Sequence, residues 1–239
     1  MFSTTRWTII HQAAQNDSGP GRIAWAQLAE KYWNPLYFFA RQHGLGAQDA
    51  EDATQEFLMR LIEGELLSSA DPALGRFRNY LLTAWKRFLI DRHRSENRIR
   101  RGGPIQHIAI HSDRGEERML HVVSKKTAPE DAFARGWASA IIDEARSRLR
   151  SDYTSSGRYP IYDRLIPLLT QTVTSQQYDQ IARELQVSPG AAKVAMHRIR
   201  QRFGETLREV VAETVDDPSD IGSELNDLLT ILSQPGCQI

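Results

Sequence analysis

Apolar residues recur at helical spacing in block after block of this 239-residue chain, and they predict an all-α protein. Trp7 to Ala14 is short and apolar, and Asn16-Asp17-Ser18-Gly19-Pro20-Gly21 reads as a loop. Trp25, Leu28, Ala29 and Tyr32 then share one helix face. Pro35 is expected to kink or end that helix, with Leu36 to Gln42 continuing it and Gly44 as the stop. The aromatics Trp25, Tyr32, Trp33, Tyr37, Phe38 and Phe39 read as core. From Asp49 to Ile62 a second helix buries Ala50, Ala53, Phe57, Leu58, Leu61 and Ile62. Ser68 to Gly75 is a loop of small, turn-forming residues. A long helix follows from about Phe77 to Arg98, with Leu81, Leu82, Trp85, Phe88 and Leu89 as its apolar positions.

Residues 105 to about 132 show no sustained period and read as a linker. Helix resumes near Pro129, with Trp137, Ile141, Ala145 and Leu149 on one face and a turn at Ser155-Ser156-Gly157. Tyr162, Leu165, Ile166 and Leu169 make a short amphipathic helix.

The stretch Thr174 to Phe203 predicts two helices and a tight turn. Thr174 and Gln177 have the spacing of a capping box, and Tyr178, Ile181, Ala182 and Leu185 follow on one face. Gln186-Val187-Ser188-Pro189 breaks the pattern, with Ser188 as N-cap and Pro189 where a missing N–H costs nothing. In the second helix Ala192, Met196, Ile199 and Phe203 are the buried side. Lys193, Val194, His197, Arg198, Arg200 and Arg202 lie on other faces. This is the helix-turn-helix layout, whose second helix suits the major groove of DNA. An ordinary helical hairpin with a solvated basic face is the plainer alternative.

Composition adds little until charge is read by position. The hydrophobic fraction is 41%, the charged fraction 25% and the formal net charge zero, as in an ordinary soluble globular protein. That zero conceals segregation. Arg76, Arg78, Lys86, Arg87, Arg92, Arg94, Arg98, Arg100 and Arg101 face only Asp91 and Glu96 in their block. Further on, Glu205, Glu209, Glu213, Asp216, Asp217, Asp220, Glu224 and Asp227 face only Arg208. Arginines interleaved with aromatics, Tyr80 and His93 among the polar positions, offer charge for phosphates and flat faces for opened bases; a solvated helix face with Trp85 in the core is the plainer alternative. Asp49, Glu51, Asp52, Gln55 and Glu56 crowd the start of the second helix, where they suit the helix dipole or a basic partner.

Catalytic and metal chemistry find no foothold. The one cysteine, Cys237, allows no internal disulfide and no cysteine-based zinc site. His107 and His111 have ligand spacing without a third ligand, and the acids of the second helix have no accompanying histidine. No cofactor and no enzymatic activity are expected. No signal peptide or bilayer-length apolar run is expected either, so the default is a cytoplasmic protein without a membrane partner.

Three blocks together resemble an RNA polymerase sigma factor of the extracytoplasmic-function group. AEDATQEFLMRL, from Ala50 to Leu61, resembles the helix that docks on the polymerase's largest subunit. GRFRNYLLTAWKRFLIDRHR, from Gly75 to Arg94, resembles the helix that opens and reads the −10 element. YDQIARELQVSPGAAKVAMHRIRQRF resembles the −35-reading helix-turn-helix. The resemblance implies core RNA polymerase and promoter DNA as partners, with an anti-sigma factor or other regulator as a further candidate.

It also implies roles for residues. Asp49, Asp52, Gln55 and Glu56 would bind polymerase. Arg76, Arg78, Tyr80, Trp85, Lys86, Arg87, Arg92 and Arg94 would bind the −10 element, and Ser188, Lys193, Val194, His197, Arg198 and Arg200 the −35 element. The family often has Trp at Tyr80 and Asn at Arg87, so a phosphate contact is expected of Arg87. Val194 offers no hydrogen bond, so readout there rests on shape or a thymine methyl.

The implied domains are 1–101 for polymerase and −10 binding, a flexible linker at 102–132, and a helix-turn-helix domain at 133–213. An acidic amphipathic extension follows at 214–239. Ser219 is expected to cap its helix. Ile221, Leu225, Leu228 and Leu232 are expected to pack on the C-terminal domain, the alternative being that its acids lie over a basic DNA-binding surface.

Overall fold

A computed structural model describes residues 19–63, 76–99, 122–123, 127–215 and 217–234. The expectations for Trp7 to Ala14, the Ser68 to Gly75 loop, His107 and His111 lie outside the described residues, as does the side chain of Trp25. The regular elements are all helical: α1 (Gly19–Gln42), α2 (Ala47–Ile62), α3 (Phe77–Ile99), α4 (Pro129–Ser155), α5 (Tyr159–Leu165), α6 (Ser175–Glu184), α7 (Pro189–Ala212) and α8 (Ile221–Leu232). Short 3-10 turns precede α6 at Ile166–Leu168 and α8 at Pro218–Asp220. The chain divides into two compact units, Met1–Ala140 with Val211–Ile239, and Ile141–Val210.

In the first unit α1 begins at Gly19, inside the expected loop, and of the two outcomes expected at Pro35 it does not end there but continues to Gln42. Proline at a helix interior forfeits a hydrogen bond and crowds the preceding turn. Leu28 and Tyr32 before it, and Leu36, Phe39 and Ala40 after it, are all buried. Burying both halves of that face outweighs the local defect. Gly44 does stop the helix: its φ is +102°, and Leu45 N–H donates to Ala40 O at 3.1 Å while Gly44 N–H donates to Arg41 O at 3.2 Å. That is the Schellman arrangement, which favours glycine at the left-handed position.

An aromatic cluster joins α2 to α3. Phe57 meets Trp85 at 4.8 Å between ring centroids and Phe88 at 5.4 Å, and Trp85 stacks on Phe88 at 5.4 Å. Tyr32 of α1 meets Phe77 edge-on at 5.5 Å. Val122 and Val123, in the stretch expected to be a linker, are buried.

Asp217, rather than Ser219, caps the turn that leads into α8, accepting the Ser219 N–H at 2.8 Å. That backbone hydrogen bond is the main cause holding the Asp217 carboxyl below its ordinary range. Helix α8 was expected on the C-terminal domain, but it belongs to the first unit, where its acids meet arginines at the start of α3.

The second unit is organised around Leu149, Tyr153, Tyr162, Leu165, Ile181, Ala182, Ala192, Met196 and Ile199, with Phe203 partly buried beside them. The expected capping box forms: Thr174 Oγ1 accepts Gln177 N–H at 3.3 Å, and Gln177 Oε1 accepts Thr174 N–H at 2.8 Å. Gln186 takes the left-handed conformation, φ 55°, and Val187 N–H returns to Ala182 O at 2.9 Å. Ser188 Oγ then accepts Ala191 N–H at 3.1 Å and starts α7. Pro167 makes the expected helix around Leu165 to Leu169 end early as a 3-10 turn.

Candidate nucleic-acid interface

The expected contacts lie on helices whose other side is core, except Arg76 and Ser188, which immediately precede their helices. On α2, Ala50, Ala53, Phe57 and Leu61 are buried, which turns Asp49, Asp52, Gln55 and Glu56 toward the outer side. Asp49 and Gln55 are exposed, and Asp52 and Glu56 half-buried. Glu56 is not a free acid: its carboxylate accepts Arg60 at 2.7 Å and Arg92 at 2.9 Å. Asp52 and Glu56 line a surface hollow of about 540 Å³ with Arg60, Phe88, Asp91, Arg92 and Ser95. Met59, one turn further along the face, is 51% exposed. The sequence pattern did not single it out, because a lone apolar residue beside a buried stripe carries no separate signal. Glu51, which the sequence grouped with the outer acids, is buried instead.

The expected −10 residues divide by what holds them. Trp85 was expected to offer a flat face to DNA, but it is 0% exposed and belongs to the aromatic cluster. Its position among Leu81, Phe88 and Leu89 on the apolar side of α3 is the reason. Tyr80 is half-buried, with its ring stacked near Phe77 at 6.3 Å. Lys86 Nζ lies 2.7 Å from Glu130 of α4 and 5.9 Å from the Phe39 ring centroid. The Lys86 hydrogen bond is the largest cause holding the Glu130 carboxyl below its ordinary range. Arg92 pairs with Glu56, and Arg94 lies 3.8 Å from Asp91. Arg87 is exposed and makes no ion pair among the described residues.

Arg76 and Arg78 are committed across the unit. Asp227 Oδ2 accepts from both guanidiniums, and Ser223 Oγ accepts from Arg76 Nη2 at 2.8 Å. Glu224 Oε2 lies 2.8 Å from Arg76 Nη1 and 3.1 Å from Arg78 Nη2, as ion-pair contacts rather than aligned hydrogen bonds. The Arg78 guanidinium also sits over the Trp137 ring, 4.4 Å from its centroid.

In the second unit, Ser188, Lys193, Val194, His197, Arg198 and Arg200 are all exposed, while Ala192, Met196 and Ile199 are buried between them. Lys193 Nζ stands 5.6 Å from the Tyr178 ring centroid. Arg200 works on the backbone: it donates to Leu169 O at 3.0 Å, Leu168 O at 3.2 Å and Gln171 O at 2.6 Å. These carbonyls end the 3-10 turn, so Arg200 fixes the approach to α6. Arg202 is held by Asp152 at 2.8 Å and by Glu209 at 3.4 Å. Arg198 lines a hollow of about 410 Å³ with Arg158 and Arg202. Arg158 was not among the expected contacts, because it comes from the turn before α5 and its closeness to Arg198 is purely tertiary.

Among the described residues no group of three or more His, Cys, Asp or Glu could hold a metal ion. No described helix is long and apolar enough to cross a membrane. Comparison with curated proteins and with solved structures gives no match. The unit that carries the α2 acids and the α3 cations is different: residues 28–99 match the family Sigma-70 region 2.

Proposed function

We propose that this chain is a sigma factor of the extracytoplasmic-function group, binding core RNA polymerase and directing promoter-specific initiation at −10 and −35 elements. The match of residues 28–99 to Sigma-70 region 2 carries the proposal. That family is one of non-enzymatic transcription-initiation factors.

In this reading Asp49, Asp52, Gln55 and Glu56, with Met59 beside them, dock on polymerase. Charge on the α2 face steers the encounter, and the exposed Met59 adds apolar contact. Arg87 holds strand phosphate, with Tyr80, Lys86, Arg92 and Arg94 around it. Trp85 acts from the core, holding the face of α3 in place. In the second unit Lys193, Val194, His197 and Arg198 meet the −35 duplex, and their exposure on α7 supports this. Arg200 orders the turn before α6, and Ser188 starts the reading helix. Binding energy from these contacts is spent on strand separation.

Co-purification of the full chain with core polymerase, followed by run-off transcription from a genomic promoter library, tests the function. The expected result is a stable complex and transcription that depends on the added chain. Tight duplex binding by the chain alone, with no polymerase complex, would instead identify a stand-alone helix-turn-helix regulator.

A further inference from the structure

Helix α8 brings two carboxylates onto the two arginines at the start of α3. Glu224 and Asp227 are three residues apart, so they share one side of α8. Both reach Arg76 and Arg78, and Ser223 adds a hydrogen bond to Arg76. The two acids differ in how firmly they are held. The Glu224 side chain is 2% exposed, and Leu228 and Ile231 anchor the same helix by burial. The Asp227 side chain is 46% exposed, at the open edge of the cluster. Water and solute anions therefore reach Asp227 and not Glu224.

A carboxylate and a phosphate oxygen ask the same thing of a guanidinium: charge and a forked pair of N–H donors. We propose that Asp227 is a built-in competitor for promoter-strand phosphate. It occupies Arg76 and Arg78 in the free chain, and a strand phosphate must displace it to reach them, while Glu224 keeps α8 seated. This rests on the reading of the α3 face as a DNA contact. The swap exchanges one anion for another on the same two guanidiniums, so it releases few counterions and favours strand binding only weakly. The C-terminal helix thereby lowers the affinity of the free chain for opened DNA.

The test uses the full chain and a short fluorescein-labelled single-stranded DNA, titrated across a potassium chloride series. Asp227→Asn is expected to bind up to about five-fold more tightly, the worth of a half-exposed ion pair. Its log–log salt slope is expected to steepen by about 0.7, as for one added phosphate contact on a single strand. Asp227→Glu, which keeps the charge, is expected to behave as the wild type. Equal affinity and slope for Asp227→Asn and the wild type would overturn the proposal, as would absence of strand binding in both.

A second measurement guards against misfolding of the variant. In the unmodified chain, the Asp227 carboxylate carbon resonance should move when the strand is added; a stationary resonance in a chain that binds strand overturns the proposal. Core-polymerase co-purification is run on the same samples. A wild-type chain that binds core but shows no Asp227 effect refutes the competitor alone, whereas no core binding refutes the sigma-factor function.

Discussion

Gly136 lies directly against Pro35: a Cβ placed on Gly136 would stand 2.8 Å from Pro35 Cα and 2.9 Å from Phe38 Cδ2. The first of these is backbone, which cannot swing aside. Helix α4 therefore meets α1 at the point where α1 carries its proline, and only a residue without a side chain fits. Gly136→Ala should gain up to about 1 kcal/mol of helix propensity and lose about 1–3 kcal/mol to overpacking. A net loss of stability is expected, read as a lower midpoint in urea unfolding. An unchanged or higher midpoint would show that α4 can move off Pro35 freely.

Asp52 offers a cleaner probe of the proposed polymerase face than Glu56, because Glu56 also holds Arg60 and Arg92. Asp52→Arg should weaken core binding while shifting stability by no more than about 0.5 kcal/mol, as surface changes usually do. Affinity for core polymerase and thermal melting are measured on the same sample. Unchanged affinity removes Asp52 from the docking face.

Of Arg198, Arg200 and Arg202, the last two are occupied within the unit, which leaves Arg198 as the arginine proposed for a base edge. Arg198→Ala should cost the holoenzyme about 1–3 kcal/mol at a −35-dependent promoter, the worth of a bidentate base contact. A phosphate contact would instead weaken all sequences alike and flatten the salt dependence. Equal loss on specific and scrambled −35 elements would reassign Arg198 to phosphate.

Thr174 Oγ1 accepts the Gln177 N–H at the start of α6, and the Thr174 N–H donates to Gln177 Oε1. Thr174→Ala should destabilise the chain by about 0.5–2 kcal/mol. Chemical unfolding measures this, and a loss near zero would mean that water replaces the cap.

Acid sensitivity has a definite sign. Burial by itself would raise the Asp227 carboxyl, but the Arg76 hydrogen bond and the charges of Arg76 and Arg78 outweigh it and hold it below 3.8. Glu130 is held below 4.5, chiefly by the Lys86 hydrogen bond. A carboxyl whose folded value is lowered binds protons more tightly when unfolded. Its stabilising contribution is thus full above the ordinary value and lost as pH falls through the folded one. Melting temperature should hold from neutrality to about pH 5 and decline below about pH 4. In Asp227→Asn the acid decline should be shallower; an identical acid limb would show that the pair adds nothing to stability.

Local chemistry made much of this fold legible in advance. The capping box at Thr174, the serine–proline start of α7 and the glycine stop at Gly44 are each written within a few residues. The exposed side of α7 followed from helical spacing alone. Pro35 left two outcomes open, a kink or an end, because a local rule for proline takes no account of how much apolar surface two half-helices bury together. Trp85 was ambiguous for a similar reason: at the edge of an apolar stripe, an aromatic ring serves core or ligand equally well in one dimension. The partners of Arg76 were out of reach. Asp227 lies 151 positions away, and no spacing rule connects them.

The depth of Trp85 has a consequence for genetics. A screen for lost transcription would collect alleles at this codon readily, and a motif-minded interpretation would score them as promoter-contact mutants. Their defect would come from a collapsed aromatic cluster and a falling cellular level of the protein. Immunoblotting each allele, before any promoter assay, separates the two. Alleles at Arg87 should keep normal abundance and fail only on the promoter.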